Sequence, residues 1–256
     1  MSSTLIFICI AVAVLITSFI SGILGMAGGM ILMGVLLALL PLPAAMMLHG
    51  ITQMAANGWR AWLWRTHVNW RVIRGYALGA LLALAAFIVL QLVVSKPVAY
   101  LLLGVTPFIS VMLPRRLALN VDHRRHPLFC GVICTGLQLL AGVSGPLLDV
   151  FFVQSAMDRR GVVATKAMSQ TLGHLIKIIY FGGISAMSSS VTAGLSLPLI
   201  AACVVLAFTG TSLSRRVLDK MSDANFRQWT QGTVLTMGVI YLASGLWLLV
   251  GPHVSR

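Results

Sequence analysis

Two apolar stretches of this sequence have the same stripe of polar residues. The first stripe consists of Gln53, Asn57 and Arg60. The second stripe consists of Gln170, His174 and Lys177. Each stripe steps by four and then three residues, so its members share one side of a helix. Polar side chains inside a bilayer usually face the interior of a helix bundle. These amides, imidazole and cations could therefore bind the oxygens and the charge of a small anion.

The two cations in the stripes differ in their surroundings. Arg60 lies among Trp59, Trp62 and Trp64. That pattern is as typical of an interfacial belt, where Arg reaches the lipid headgroups, as of a binding site. Lys177 lies near a helix end that has no other basic residue. We therefore interpret Lys177 as functional and leave both interpretations of Arg60 open.

Glycine-rich segments interrupt two apolar stretches, at Gly25–Met30 and Ala141–Pro146. Backbone that leaves a helix at membrane depth must be buried in protein or line a wet cavity. Each interruption would direct a helix N-terminus, with its free N–H groups and positive dipole end, towards an anion. The expected backbone donors are Gly28, Gly29, Ser144 and Gly145. Close helix packing is the alternative for any single glycine, but two matching interruptions favour a transport site.

Asp149 is the acidic residue that lies well inside an apolar run. An intramembrane carboxylate predicts either a proton carrier or an ion-pair partner, here of Lys166 or Lys177, and both remain open. His174 is the second candidate for proton coupling. A lone histidine is more often a packing residue, but Asn57 at the matching position of the first stripe favours a functional role for His174. His49 stands alone on an apolar stretch and is interpreted as a packing residue.

Motifs of enzymes and of nucleotide or metal sites are missing from the sequence. It contains no nucleotide-binding glycine loop, Ser nucleophile elbow, HExxH or CxxC. The four cysteines lie in apolar runs without the paired spacing of a zinc site. We therefore expect no enzymatic activity, no cofactor and no bound metal.

The composition predicts a membrane protein. Hydrophobic residues make up 59% of the 256 positions and charged residues 9%, whereas a soluble domain has about 25% charged residues. The net charge of +13 arises from 18 Lys and Arg against five Asp. The basic residues lie at the ends of apolar stretches, which favours cytoplasmic loops and lipid headgroups over nucleic acid. We predict a multi-pass protein of the cell inner (plasma) membrane and leave a homo-oligomer open.

Ten helices are expected to position the polar residues, with Gly and Pro at the breaks between them. Their predicted bounds are Leu5–Leu24, Met30–Leu40, Ala44–Trp64, Ile73–Val94, Val98–Leu113, Leu128–Leu140, Pro146–Ala156, Val162–Phe181, Leu195–Leu213 and Phe226–Val250.

A duplication relates the two halves of the sequence. Gly29 and Gly145 are 116 positions apart, and Gln53 and Gln170 are 117 apart, so a single-residue insertion reconciles the two motifs. If the basic loops lie inside, the halves have opposite orientations and both termini lie outside. Each glycine-interrupted pair then returns to its starting side, as a re-entrant hairpin or as two short spans. Parallel halves are the alternative.

The predicted fold is therefore an all-α polytopic membrane protein made of two inverted-topology repeats. Each repeat contains one glycine-interrupted pair and about three further transmembrane helices, as in inverted-repeat transporters. The first repeat covers residues 1–114 and the second covers residues 128–256. A basic cytoplasmic linker at 115–127 joins them.

The glycine-rich segments and the helices that follow them resemble the sulfite exporter TauE/SafE family. The resemblance covers nearly the whole chain and rests on Gly25–Met30, Ala141–Pro146, Thr52-Gln53 and Ser169-Gln170. The chain departs from the family pattern at Ala27 and Ser144, where a further glycine is usual, and at Met30, which replaces a proline. These departures bear on the substrate and leave the architecture unchanged.

The resemblance implies a secondary transporter that exports small anions such as sulfite, organosulfonates or related carboxylates. The anion would bind near the bilayer midplane, between the two glycine-interrupted helices. An anion channel lined by the same residues and a non-transporting membrane scaffold are the alternative functions.

Overall fold

The structure, a computed structural model, describes residues 3–114, 119–187, 195–218 and 223–251. Within these ranges the chain is helical and contains no strand. The α-helices in chain order are α1 Ser3–Leu24, α2 Ala27–Leu39, α3 Leu42–Leu63, α4 Trp70–Leu90, α5 Lys96–Met112, α6 His126–Ala141, α7 Gly145–Phe152, α8 Arg159–Met187, α9 Leu197–Leu218 and α10 Asp223–Val250. A short 3-10 helix, Arg65–His67, follows α3. Each predicted helix has a counterpart in this order.

The first glycine-rich segment is more helical than the sequence suggests. Only Gly25 and Met26 separate α1 from α2, because Gly28 and Gly29 lie in the first turn of α2. Glycine inside a helix costs about 1 kcal/mol relative to alanine. However, a Cβ added to Gly28 would stand 2.1 Å from the carbonyl oxygen of Thr17. The close packing of α2 on α1, which only glycine permits here, offsets that cost.

A glycine with positive φ ends the helix before each of the two interruptions. Gly25 follows α1 with a φ of 67°, and Gly142 follows α6 with a φ of 84°. Glycine adopts this left-handed conformation without steric cost and commonly terminates helices in it. After Gly142, Ser144 precedes the first residue of α7, and Pro146 lies in the first turn, where it needs no N–H partner.

The segment between α7 and α8 lies three to four residues earlier in the chain than predicted. Helix α7 ends at Phe152 instead of Ala156, and α8 begins at Arg159 instead of Val162. Asp158 determines this start, because its carboxylate accepts a hydrogen bond from the backbone N–H of Gly161.

The described surface is apolar and the described interior contains many polar groups. The exposed large side chains include Leu5, Ile8, Val12 and Ile16 of α1 and Leu78, Leu81, Leu82 and Ile88 of α4. By length and composition, four described helices can cross a membrane: Thr4–Leu24, Trp70–Leu90, Leu197–Ser214 and Gln228–Val250. An apolar surface around an interior that includes polar groups is what a hydrocarbon solvent favours, and the protein is a membrane protein.

Helix packing places the two polar stripes face to face. Helix α3, with the first stripe, packs along α8, which has the second. Helix α1 packs on α9, α4 packs on α6, and α5 packs on α10. The short helices α2 and α7 contact α3 and α8, respectively. The interface of α3 and α8 therefore contains the candidate site. The glycine-rich segments Gly25–Met30 and Ala141–Pro146, which we call the glycine connections, lie beside it.

Candidate functional site

The first polar stripe forms a hydrogen-bonded row on α3. Gln53 and Asn57 are buried, and the Asn57 amide donates to the Gln53 carbonyl oxygen over 3.0 Å. Arg60 is half-buried and donates to the Asn57 side chain over 3.4 Å and to the carbonyl oxygen of Ser21 over 2.9 Å. Because Ser21 lies in the last turn of α1, the guanidinium stabilises the negative end of that helix. Arg60 thus links α3 to α1.

Lys177 has the most unusual environment in the described chain. Its side chain is 0% exposed. Its Nζ atom donates to Nδ1 of His49 over 2.8 Å and to the carbonyl oxygen of Gly142 over 2.9 Å. The other ring nitrogen of His49 bonds to the carbonyl oxygen of Gly29 over 2.9 Å. This chain of contacts connects α8 and α3 to both glycine connections.

No described carboxylate pairs with Lys177. Asp149 forms an ion pair with Lys166. Asp122 accepts hydrogen bonds from the segment after α7, and Asp158 caps α8. A buried charge without a partner costs several kcal/mol. A protonated Lys177 therefore needs an anion that these carboxylates do not supply.

Three further buried nitrogens near this interface have no hydrogen-bond partner in the described chain. They are Nε2 of Gln53, Nε2 of Gln138 and Nδ1 of His174. Such groups are rare in folded proteins, because each loses its hydrogen bonds to water without replacement. The two amide nitrogens are donors. The oxygen of the Gln138 amide does have a partner, because the Ser144 hydroxyl donates to Oε1 over 3.0 Å.

These side chains come together although they lie on α3, α6, α8 and the α6–α7 connection. The ring centroids of His49 and His174 are 5.4 Å apart. A Cβ added to Gly173 would stand 2.8 Å from Oε1 of Gln138, so α8 and α6 approach closely there. We name this group the buried polar cluster; it consists of His49, Gln53, Gln138, Ser144, His174 and Lys177.

The two glycine connections border the cluster in different ways. A Cβ added to Gly29 would stand 3.2 Å from Oε1 of Gln53, so Gly29 lies directly beside the cluster. A Cβ added to Gly145 would stand 2.5 Å from the Met26 sulfur, so the connections touch each other there. Gly28 instead packs against the backbone of α1, as the helix-packing alternative requires.

A cavity lies beside the contact between Met26 and Gly145. Its volume is about 360 Å³, and α5, α7 and α10 form its walls. Met26, Pro146 and Asp149 line it together with Thr230 and Gln231. Asp149 is 42% exposed. Asp149 therefore belongs to this cavity and to its ion pair with Lys166, and it lies outside the buried polar cluster.

A comparison with protein families decides the identity of the chain. The model of the family described as sulfite exporter TauE/SafE matches residues 9–241. The chain belongs to the sulfite exporter TauE/SafE family. It is therefore a membrane transporter of the sulfite and sulfonate type, and membership implies a transporter and not an enzyme. No curated protein and no solved structure matches the chain.

Sequence reasoning missed two cluster residues of this TauE/SafE protein and included several that lie outside the cluster. His49 precedes Gln53 by one helical turn, so extending the first stripe backwards would have found it. Gln138 interrupts an otherwise apolar run, where an amide is costly. Gln170 is only half-buried and makes no hydrogen bond with the cluster.

Proposed function

We propose that this TauE/SafE protein is a secondary carrier that exports small anions, such as sulfite, organosulfonates or related carboxylates. The anion binds in the buried polar cluster, with protonated Lys177 as its counter-charge. One observation supports this most strongly: Lys177 is completely buried and has no carboxylate partner among the described residues. A protein keeps such a group where a charged ligand compensates it.

The donors around Lys177 define how the anion is recognised. Gln53 and Gln138 each have a buried amide nitrogen without a partner, and His174 has a buried ring nitrogen without one in the described chain. Because these groups come from three helices, they can contact different oxygens of one anion. Gly29 lies next to Gln53, and its backbone N–H, in the first turn of α2, is free to contribute.

The remaining predicted residues support the site from its edges. Asn57 and Arg60 extend the row on α3. Gly28 and Gly145 permit the close approach of helices, and Gln170 lies at the margin of the interface. Asp149, at the cavity wall, is the alternative site for a coupled proton.

We propose that the carrier consists of two inverted repeats, residues 1–114 and 128–256, joined by the basic linker 115–127. In these repeats α1 corresponds to α6, and α4 corresponds to α9. The pair α1–α9 is therefore equivalent to the pair α6–α4, and the two helices of each pair pack against each other. The helix-ending glycines, Gly25 and Gly142, are separated by 142 − 25 = 117 positions, the spacing of the polar stripes. Both observations favour a twofold relation.

The lengths of the short helices limit how the glycine-interrupted pairs can be arranged in the membrane. Helices α2 and α7 contain 13 and 8 residues. At 1.5 Å per residue they are about 20 Å and about 12 Å long, whereas the hydrocarbon core is about 30 Å thick. Neither can cross alone. With the basic loops inside, the termini lie outside an inner membrane, and the cluster lies near the midplane.

Transport assays test this function directly. Purified protein in proteoliposomes should take up at least one of radiolabelled sulfite, methanesulfonate or acetate with saturation and counterflow. Lys177→Met should reduce the flux roughly 10- to 100-fold, because hydrogen bonds to charged groups contribute about 1.5–3 kcal/mol.

Lys96→Met is the matched control. Lys96 is half-buried and donates to the Leu40 carbonyl oxygen, away from the cluster. This variant should keep its flux. Unchanged flux in folded Lys177→Met protein would exclude the cluster as the anion site, and unsaturable single-channel currents would favour a channel.

A further inference from the structure

The hydrogen bonds around His49 determine where its protons lie. The Gly29 carbonyl oxygen can only accept, so Nε2 of His49 must donate to it. In the neutral ring, Nδ1 is then an acceptor. The Nζ atom of Lys177, 2.8 Å from Nδ1, is the donor in that contact.

Counting hydrogen-bond donors and acceptors around Lys177 distinguishes its two protonation states. A neutral amine has two N–H groups and one lone pair, and an ammonium has three N–H groups. Lys177 has two acceptors, Nδ1 of His49 and the Gly142 carbonyl oxygen. The neutral amine therefore satisfies every N–H group. The ammonium has one unpartnered N–H group and a positive charge that is buried without compensation.

Ionisable groups on the surrounding elements do not supply the missing negative charge. Helix α8 packs on α3, α4, α6, α7 and the 3-10 helix. The ionisable residues on these elements and on α8 itself, besides Lys177, are His49, Arg60, Arg65, His67, Arg71, Arg74, Tyr76, His126, Cys130, Cys134, Asp149, Arg159, Arg160, Lys166, His174 and Tyr180. Tyr and Cys are ordinarily neutral at pH 7. Asp149 is the acidic member, and it is bound to Lys166.

We propose that Lys177 is the proton-coupling site: it is a neutral amine in the empty carrier and takes up one proton with each anion. This inference rests on the proposed anion site. The step is Lys–NH₂ + H⁺ + A⁻ → Lys–NH₃⁺·A⁻, in which the new N–H group points to the anion. A monoanion then crosses with one proton and without net charge.

Magnetic resonance of the lysine side-chain nitrogens tests the empty state without any transport assay. The chain has only four lysines: Lys96, Lys166, Lys177 and Lys220. In full-length protein at neutral pH, with isotope-labelled lysine, one signal should have the shift of a neutral amine. It should be absent from Lys177→Met, whereas Lys96→Met should lose an ammonium signal. Four ammonium signals in the anion-free protein would overturn the proposal.

Addition of sulfite, methanesulfonate or acetate tests the coupling. A saturating anion that the wild type transports should convert the amine signal to an ammonium signal. An amine signal that persists under those conditions overturns the coupling. If no probe anion is transported, the proposed function fails, while the amine signal still decides the protonation state of Lys177.

A second test uses the permanent charge of arginine. Lys177→Arg should lose accumulation driven by a proton gradient by a larger factor than it loses anion counterflow, because guanidinium does not release its proton. Lys96→Arg should retain both activities. Gradient-driven accumulation by Lys177→Arg overturns the proposal. Loss of accumulation in Asp149→Asn, together with its retention in Lys177→Arg, would assign the proton to Asp149.

Discussion

The Nζ atom of Lys177 lies 2.8 Å from Nδ1 of His49, although the two residues are 128 positions apart in the chain. The contact joins α8 to α3, the helices that contain the two polar stripes. Through the carbonyl oxygens of Gly142 and Gly29 it also ties both glycine connections to that interface. A change at Lys177 can therefore act on the helices of both halves.

Removing the acceptor of this contact should weaken anion transport. His49→Leu leaves one N–H group of Lys177 without a partner, at a cost of about 1–3 kcal/mol, and removes the side-chain donor to the Gly29 carbonyl oxygen. We expect a lower unfolding temperature in detergent and a flux reduced about tenfold or more. His49→Asn, whose amide can accept from Lys177, should restore part of the flux. The exposed His123 provides the control, and His123→Asn should behave as the wild type.

Removing a buried donor that has no partner should lower the affinity for the anion without lowering the stability of the protein. Gln53→Leu eliminates a buried nitrogen that has no partner, so the free energy of unfolding should stay constant or rise. The apparent affinity for the anion should fall roughly 10- to 100-fold, since a hydrogen bond to a charged ligand contributes about 1.5–3 kcal/mol. Gln231→Leu, at the cavity wall, should leave the affinity unchanged. A stable Gln53→Leu protein with wild-type affinity contradicts the assigned role.

Gly145→Ala should disturb the contact between the two connections. The new Cβ would stand 2.5 Å from the Met26 sulfur and 2.6 Å from the Met26 Cβ. Overpacking of this kind costs about 1–3 kcal/mol, which thermal unfolding in detergent would register. Adding Met26→Gly should recover part of the loss, because it removes the three nearest clashing atoms. Gly58→Ala is the control, since its nearest neighbour is the Thr171 methyl at 3.6 Å.

Gly28→Ala should damage the packing of α1 on α2. Its Cβ would stand 2.1 Å from the Thr17 carbonyl oxygen and 2.5 Å from the Ser21 backbone nitrogen. Backbone atoms cannot rotate away, so the helices must separate. We expect a larger loss of thermal stability than for Gly145→Ala. Gly183→Ala, which has no atom within 4 Å, should cause little change. Equal stability of the two alanine variants would show that α1 and α2 do not pack as described.

Patterns within the sequence were sufficient to predict the helices and most of the polar residues of the candidate site. Apolar stretches bounded by Gly and Pro predicted ten helices in the observed order. The spacing of Gln53 and Asn57 was enough to predict that they share a helix face. The membership of the chain in the TauE/SafE family was also evident from its glycine motifs and is confirmed. These properties depend on neighbours within a few turns, which sequence spacing describes directly.

The tertiary structure decided which side chains pair with each other. The sequence left Asp149 between Lys166 and Lys177, and the packing of α7 on α8 places it against Lys166. His49 was interpreted as a packing residue until the approach of α8 placed Lys177 beside it. Gly28 allows α2 to pack closely on α1, because a Cβ there would meet the Thr17 carbonyl oxygen. In each case the deciding free energy comes from burial and hydrogen bonding between segments distant in the chain, which the local pattern of residue types does not encode.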